Sequence, residues 1–152
     1  MSKKNINKCG DCTLCCVVFP VKELKKTFNT PCSLLCSTGC SIYNNRPKEC
    51  SDYYCAWVQE DNVTVELRPD KCGIMFTKLD ERIMFGLIDP NNTPSEMGIM
   101  QIHAFVDQGY SVVMSSKHRK DNKFFINSEH KEEDIRNEFQ IYIIEYYGDL
   151  RD

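Results

Sequence analysis

Nine of the chain's ten cysteines fall within residues 9–55, and the run opens Cys9-Gly-Asp-Cys12-Thr-Leu-Cys15-Cys16. Packing alone does not call for so many thiols in one segment, because aliphatic side chains fill a core better. Three arrangements account for them: disulfides, metal ligands or a reactive redox centre. Each closes the backbone into short loops around sulfur, so the choice governs how this whole segment folds.

The polar start, Met1-Ser-Lys-Lys-Asn-Ile-Asn-Lys8, has no apolar stretch behind it of the kind a secretory signal carries. The longest apolar runs fall well short of the roughly 18 residues of a membrane helix. The chain therefore reads as soluble and cytoplasmic, in a reducing compartment where cysteines persist as thiols. That disfavours a disulfide framework, as does a length of 152 residues, enough for a core without staples. Hydrophobic residues make up 41% and charged residues 27%, which fits an ordinary globular chain and excludes disorder throughout.

Charge is distributed unevenly. Residues 1–55 carry 8 Lys and Arg against 4 Asp and Glu, and the remainder carries 11 against 18. The basic excess coincides with the cysteines, and nearby cations help neutralise deprotonated thiols. A nucleic-acid surface is disfavoured, since no sustained basic run with interleaved aromatics is present.

Spacing then points to metal. Two cysteines separated by two residues close readily on one ion, and Cys9 with Cys12, then Cys12 with Cys15, make two such pairs. C-x2-C-x2-C matches the first three ligands of a bacterial ferredoxin cluster, but the C-x3-C-P element is absent and Cys16 follows directly. Neighbouring side chains diverge, so the Cys15-Cys16 doublet is expected to feed two sites. Cys32, Cys36 and Cys40 recur at C-x3-C-x3-C, and Cys50 and Cys55 follow. His103, His118 and His130 all lie later in the chain, so the ligand shell is expected to be all thiolate. Such a shell suits zinc or an iron–sulfur cluster. Cys72, outside the run, reads as a buried thiol.

Residues 1–8 are expected to be a disordered lead-in to a single domain, 9–152, with a cysteine-cluster part over 9–57 and an α+β part over 63–152. Turns and short helical pieces are expected within the cysteines, including one or two helical turns over 21–28 and a tight turn at Thr38-Gly39-Cys40. Residues 73–79 and 82–89 read as a β-hairpin with a two-residue Asp80-Glu81 turn. Thr93 and Pro94 signal the cap and first position of a helix ending near Gly109. Strands are expected at 111–115 and 124–126. A last helix is expected from about Ser128 to Tyr147, with Ile135, Phe139, Tyr142, Ile143 and Tyr146 on one face and Gly148 as its stop. The fold class is thus α+β: an irregular cysteine-ligated N-terminal half packed on a small β-hairpin or sheet with two helices.

Cys9-x2-Cys12-x2-Cys15-Cys16, followed by Gly39-Cys40-Ser-Ile-Tyr43-Asn-Asn-Arg46-Pro47-Lys-Glu-Cys50, resembles the YkgJ-type CxxCxxCC cysteine-cluster family, a family of proposed zinc or iron chelators. Tyr54-Cys55-Ala-Trp57 and Arg68-Pro69-Asp70-Lys71 resemble one subgroup of it. The likeness covers about residues 9–89. It implies Cys9, Cys12, Cys15, Cys16, Cys32, Cys36, Cys40 and Cys50 as ligands, with Cys55 added by the subgroup pattern.

Two roles for Arg46 are open: a donor to thiolates or carbonyls, and a salt-bridged surface residue. Tyr43, Tyr53, Tyr54 and Trp57 are expected to pack over the cysteines, and His103 to be a satisfied, half-buried residue. With no Ser-His-Asp pattern, P-loop or dinucleotide fingerprint, the first expectation is a non-enzymatic protein holding one or two all-cysteine zinc or iron sites. The alternative is an iron–sulfur electron carrier or an accessory protein of an oxidoreductase or modification system. The metal ion is the partner expected, with any protein partner unspecified.

Overall fold

The computed structural model of the chain describes residues 12–36, 39–41, 45, 47–51, 55–59, 64–116 and 122–147. The expected lead-in, Cys9, Thr38, Tyr43, Arg46, Tyr53, Tyr54, His118 and Gly148 lie outside them.

The apolar runs after Pro69 build a four-stranded sheet in which spatial order follows chain order: β3 (Ile74–Lys78), β4 (Ile83–Ile88), β5 (Ser111–Ser115) and β6 (Lys123–Phe125). The β3–β4 and β5–β6 pairs are antiparallel, and the β4–β5 pair is parallel. A parallel neighbour needs a crossover, and helix α5 (Glu96–Asp107) supplies it. The expected hairpin forms with Phe76 opposite Gly86 and Lys78 opposite Met84. Its turn is longer than two residues, because the Asp80 carboxylate takes over the turn bonds. Asp80 Oδ1 accepts from the backbone N–H of Arg82 (2.7 Å) and of Ile83 (2.8 Å), and Leu79 N–H donates to Ile83 C=O at 2.9 Å.

Strands buried on both faces read as continuous apolar runs, and β3 to β5 do so because both faces are covered. One face presents Ile74, Phe76, Met84, Val112 and Met114, and α5 covers it with Ile102 and Phe105. The other presents Met75, Ile83, Phe85, Leu87 and Val113. Two elements share that second face. Helix α6 (Glu132–Tyr147) contributes Ile135 and Phe139, and the cysteine segment contributes Leu14, Val18 and Cys55. Phe28 stands edge-on to Phe85 at 6.4 Å between centroids, and Phe85 edge-on to Phe139 at 5.1 Å, so aromatic contacts join all three elements.

Both long helices begin later than the sequence signals suggest. Ser95, not Thr93, caps α5, its Oγ accepting Gly98 N–H at 3.0 Å. Residues 128–131 do not join α6, because Asn127 holds them in a turn: its Oδ1 accepts Glu129 N–H at 2.8 Å and its C=O accepts His130 N–H at 2.9 Å. Glu132, Glu133 and Asp134 then occupy the first turn of α6, where negative charge is favourable. Of its predicted face, Ile135 and Phe139 are buried, while Tyr142 and Ile143 are half-buried.

The cysteine segment is sparse in regular structure. It comprises α1 (Leu14–Val18), a 3-10 turn (Lys22–Leu24), a two-stranded ladder of β1 (Leu35–Cys36) and β2 (Gly39–Cys40), and the short helices α2 (Lys48–Ser51) and α3 (Ala56–Gln59). A 3-10 turn at Val65–Leu67 and helix α4 (Pro69–Cys72) lead into β3, and Gly73 (φ +78°) makes the change of direction. Residues 21–28 do not form the expected helical turns beyond Lys22–Leu24. Val21 and Lys26 pair instead, exchanging backbone bonds of 3.0 Å each, and Lys25 takes the left-handed φ of 51° that closes the loop. Gly39 and Cys40 stand in the ladder, not in a tight turn. Among the described residues no helix is long and apolar enough to cross a membrane.

Candidate metal centre

Helix α1 spends two of its faces on different tasks. Leu14 and Val18 turn into the sheet and Cys15 packs, half-buried, against the same core, while Cys16 is half-buried. The backbone then brings a distant cysteine beside them, since Cys32 N–H donates to Cys16 C=O at 2.8 Å. Cys32 C=O in turn accepts from Leu35 N–H at 3.1 Å, which fixes the start of the β1–β2 ladder carrying Cys36 and Cys40. Cys50 lies in α2, its N–H bonded to Pro47 C=O at 2.9 Å.

Lys26 identifies the centre of this group. Its side chain is only 6% exposed, and its Nζ donates to the carbonyls of Val17 (3.2 Å), Phe19 and Thr27 (3.4 Å). Burial lowers its pKa, and the thiols of Cys32, Cys16, Cys15 and Cys50 stand close enough to act against that shift. Cysteines from three separate stretches of chain therefore act electrostatically on one ammonium group.

A second group gathers around Cys12. Its Sγ bonds to the Asp70 carboxylate, and the backbone N–H groups of Leu14 and Asp70 point at it. Burial pushes the Cys12 thiol up to about 12, with the Asp70 charge and neighbouring Cys55 adding to the effect and the two N–H donors opposing it. Arg68 Nε and Nη2 clamp Asp70 at 2.6 and 2.7 Å. Burial raises the Asp70 carboxyl, but the Arg68 guanidinium outweighs it and holds the group below its ordinary value. The two halves of the cysteine set thus sit in unlike surroundings, one built around a cation and the other against a carboxylate.

Of the nine expected ligands, Cys15, Cys16, Cys32 and Cys50 act electrostatically on Lys26, Cys55 acts on Cys12, and Cys9 lies outside the described residues. Cys36 is exposed and Cys40 half-buried, both in the β1–β2 ladder. No disulfide joins any two described cysteines. Among the described residues no group of three or more His, Cys, Asp or Glu side chains is closed tightly enough to hold a metal ion. Sulfur donors are the ligands that zinc and iron–sulfur sites use. Cys72 is the buried thiol expected, its Sγ 3.3 Å from Ile74 C=O, and burial raises its pKa.

Lys26 and Asp70 carry no motif of their own in the sequence. Lys26 is one of three lysines in five residues, and only the Val21–Lys26 bridge turns it under α1 while Lys22 and Lys25 stay exposed. Trp57 packs against the hydrophobic cluster of Leu14, Val18 and Cys55 and donates Nε1–H to Thr64 C=O at 3.0 Å. His103 is exposed on α5 instead of half-buried, its ring edge-on to Phe125 at 5.8 Å. A Ser–His contact occurs elsewhere, Ser111 Oγ lying 2.8 Å from His130 Nδ1. Ser111 is fully buried and its Oγ accepts Asn127 N–H at 2.9 Å, so the pair ties β5 to the approach of α6.

Comparison with protein-family models, curated proteins and solved structures finds no match for this chain. The resemblance to the CxxCxxCC family therefore rests on the motif residues themselves.

Proposed function

We propose that this chain is a small metal-binding protein whose N-terminal cysteines hold one or two metal ions, with zinc preferred over iron. The buried Lys26 ammonium, on which Cys15, Cys16, Cys32 and Cys50 act electrostatically, carries this reading. Thiols gathered without a metal gain little from such a neighbour. Thiolates gain a great deal, and metal binding is what makes them thiolates at neutral pH. The CxxCxxCC motif and the basic excess of residues 1–55 support the same reading. Cys9, Cys12 and Cys55, with Cys36 and Cys40, are the further donors from which a second site would be completed. The protein would work in the cytoplasm, where thiols stay reduced.

Elemental mass spectrometry on natively expressed, anaerobically purified protein tests this. The expected result is a colourless protein with about one or two equivalents of zinc, reduced in Cys16→Ser and Cys32→Ser. A brown protein absorbing near about 400 nm would assign an iron–sulfur cluster and the redox role instead. Folded monomer without metal would overturn the proposal.

A further inference from the structure

We propose that the cleft between the Val65–Leu67 turn and the start of α5, with the exposed side of α5 beside it, is a docking surface for a basic amphipathic helix of another protein. The proposal goes beyond the metal-binding reading and does not depend on it.

The cleft, of about 440 Å³, is lined by Val65, Glu66, Lys71, Ser95, Glu96 and Met97. Backbone bonds frame it. Ser95 N–H donates to Cys72 C=O at 2.9 Å, which sets the start of α5 against the end of α4, and Arg68 N–H donates to Val65 C=O at 3.0 Å, which closes the 3-10 turn. The walls are thus fixed, while apolar side chains on them face outward. Val65 is 55% and Met100 64% exposed, and Met97 and Ile99 are exposed as well. Single exposed apolar residues are ordinary on a protein surface. These four stand together: Met97 shares the cleft with Val65, Met100 follows one turn on, and Ile99 adjoins it. Helix α5 already buries Gly98, Ile102 and Phe105 on its inner side, so its apolar surface extends past what covering the sheet uses.

Charge selects the occupant. Glu66 and Glu96 edge the cleft against one cation, Lys71, and helical spacing puts Glu96, Met100 and Asp107 on the same outward face of α5. Two copies of α5 laid face to face would set Glu96 against Asp107 if antiparallel and each acid against itself if parallel, and like charges so placed are unfavourable. An anionic lipid surface meets the same repulsion. Residues 56–152 carry 18 acidic against 11 basic side chains, so the surrounding field draws cations. A helix with apolar residues at i, i+3 and i+4 would seat them on Val65, Met97 and Met100, with flanking Lys or Arg reaching Glu66 and Glu96. Methionine is unbranched and polarisable and adapts to differing apolar partners, so the surface suits a class of such segments.

Binding is measured on the full chain with two probe peptides, an amphipathic helix of leucine and lysine and its leucine–glutamate counterpart, by following the methionine methyl resonances. The expected result is binding of the lysine peptide alone, weakened by salt, with the Met97 and Met100 methyls moving and those of the buried Met75, Met84 and Met114 staying. Met100→Ser is expected to weaken binding about tenfold or more, as loss of a central apolar anchor does. The double variant Glu66→Gln, Glu96→Gln is expected to weaken it and to flatten its salt dependence. Should a variant not fold, the wild-type methyl map decides by itself. Absence of lysine-peptide binding, equal binding of the two peptides, or binding with the Met97 and Met100 methyls unmoved would overturn the proposal. So would movement of those two methyls with protein concentration alone, which would assign the face to a second copy. Their movement on vesicles of phosphatidylcholine and phosphatidylserine would overturn it in favour of a membrane.

Discussion

Asp70 holds Arg68 through two parallel bonds, Nε to Oδ1 at 2.6 Å and Nη2 to Oδ2 at 2.7 Å, with side chains only 11% (Arg68) and 28% (Asp70) exposed. The same carboxylate bonds to Cys12. One acidic residue at the start of α4 therefore joins the approach to β3 with the first described cysteine.

Replacing Asp70 with Asn is expected to cost about 1–3 kcal/mol, since it removes the charge from a bidentate pair with a half-buried guanidinium. The effect depends on pH in a defined direction. Arg68 holds the Asp70 carboxyl below its ordinary 3.8, so the contribution is fully present above that pH and is lost as pH falls further. Urea unfolding of wild type and Asp70→Asn should differ clearly at neutral pH and converge in strong acid. A constant gap would show that the bidentate ion pair is not the cause.

Gly98→Ala should destabilise the protein, although alanine favours an exposed helix interior by about 1 kcal/mol. A Cβ on Gly98 would sit 2.9 Å from Cys72 C=O, a backbone atom that already accepts Ser95 N–H at 2.9 Å. The carbonyl cannot retreat without releasing the cap of α5. Overpacking of this kind costs about 1–3 kcal/mol. A thermal midpoint at or above that of wild type would contradict the close approach.

Cys72 is expected to resist alkylation in the folded protein. Its side chain is fully buried between α4 and β3, and burial raises its pKa above the ordinary 9.0, so it stays a thiol where exposed cysteines ionise. Peptide mapping of metal-stripped protein after brief treatment at pH 8 should show label on the exposed Cys36 and none on Cys72, with Cys72 labelled only in denaturant. Prompt native labelling would place it at the surface.

The sheet was readable because its signals are local. Ile74 to Lys78 and Ile83 to Ile88 are apolar runs bounded by Gly73, Asp80 and Pro90, and no other pattern competes for them. Side chains that bond to the backbone moved the boundaries. Ser95 outbids Thr93 as a cap, and Asn127 keeps residues 128–131 out of α6. The site was readable only as composition. Spacing marked the cysteines, but the Cys32–Cys16 backbone bond and the Val21–Lys26 bridge, which bring distant parts of the segment together, leave no periodic trace. Nothing in the lysines at 22, 25 and 26 distinguishes the buried one before the loop is closed.

Metal removal should separate the two coverings of the sheet's second face. Leu14 and Val18 reach Phe85 and Leu87 from a segment with little regular structure of its own, whereas Ile135 and Phe139 reach them from a helix of 16 residues. Structural zinc supplies about 10–16 kcal/mol to the folding of small thiolate modules, so the cysteine segment has the most to lose. The β3–β5 ladder and the α5 face contain none of the proposed ligands. Chelation of the loaded protein is therefore expected to abolish amide protection over residues 14–36 and retain it in β4 and β5. The Phe85 face exposed in this way should bind a hydrophobic dye. Hydrogen exchange read by mass spectrometry checks this directly. Uniform loss across the chain would mean that the sheet depends on the cysteine segment, and unchanged protection would mean that metal does not hold that segment in place.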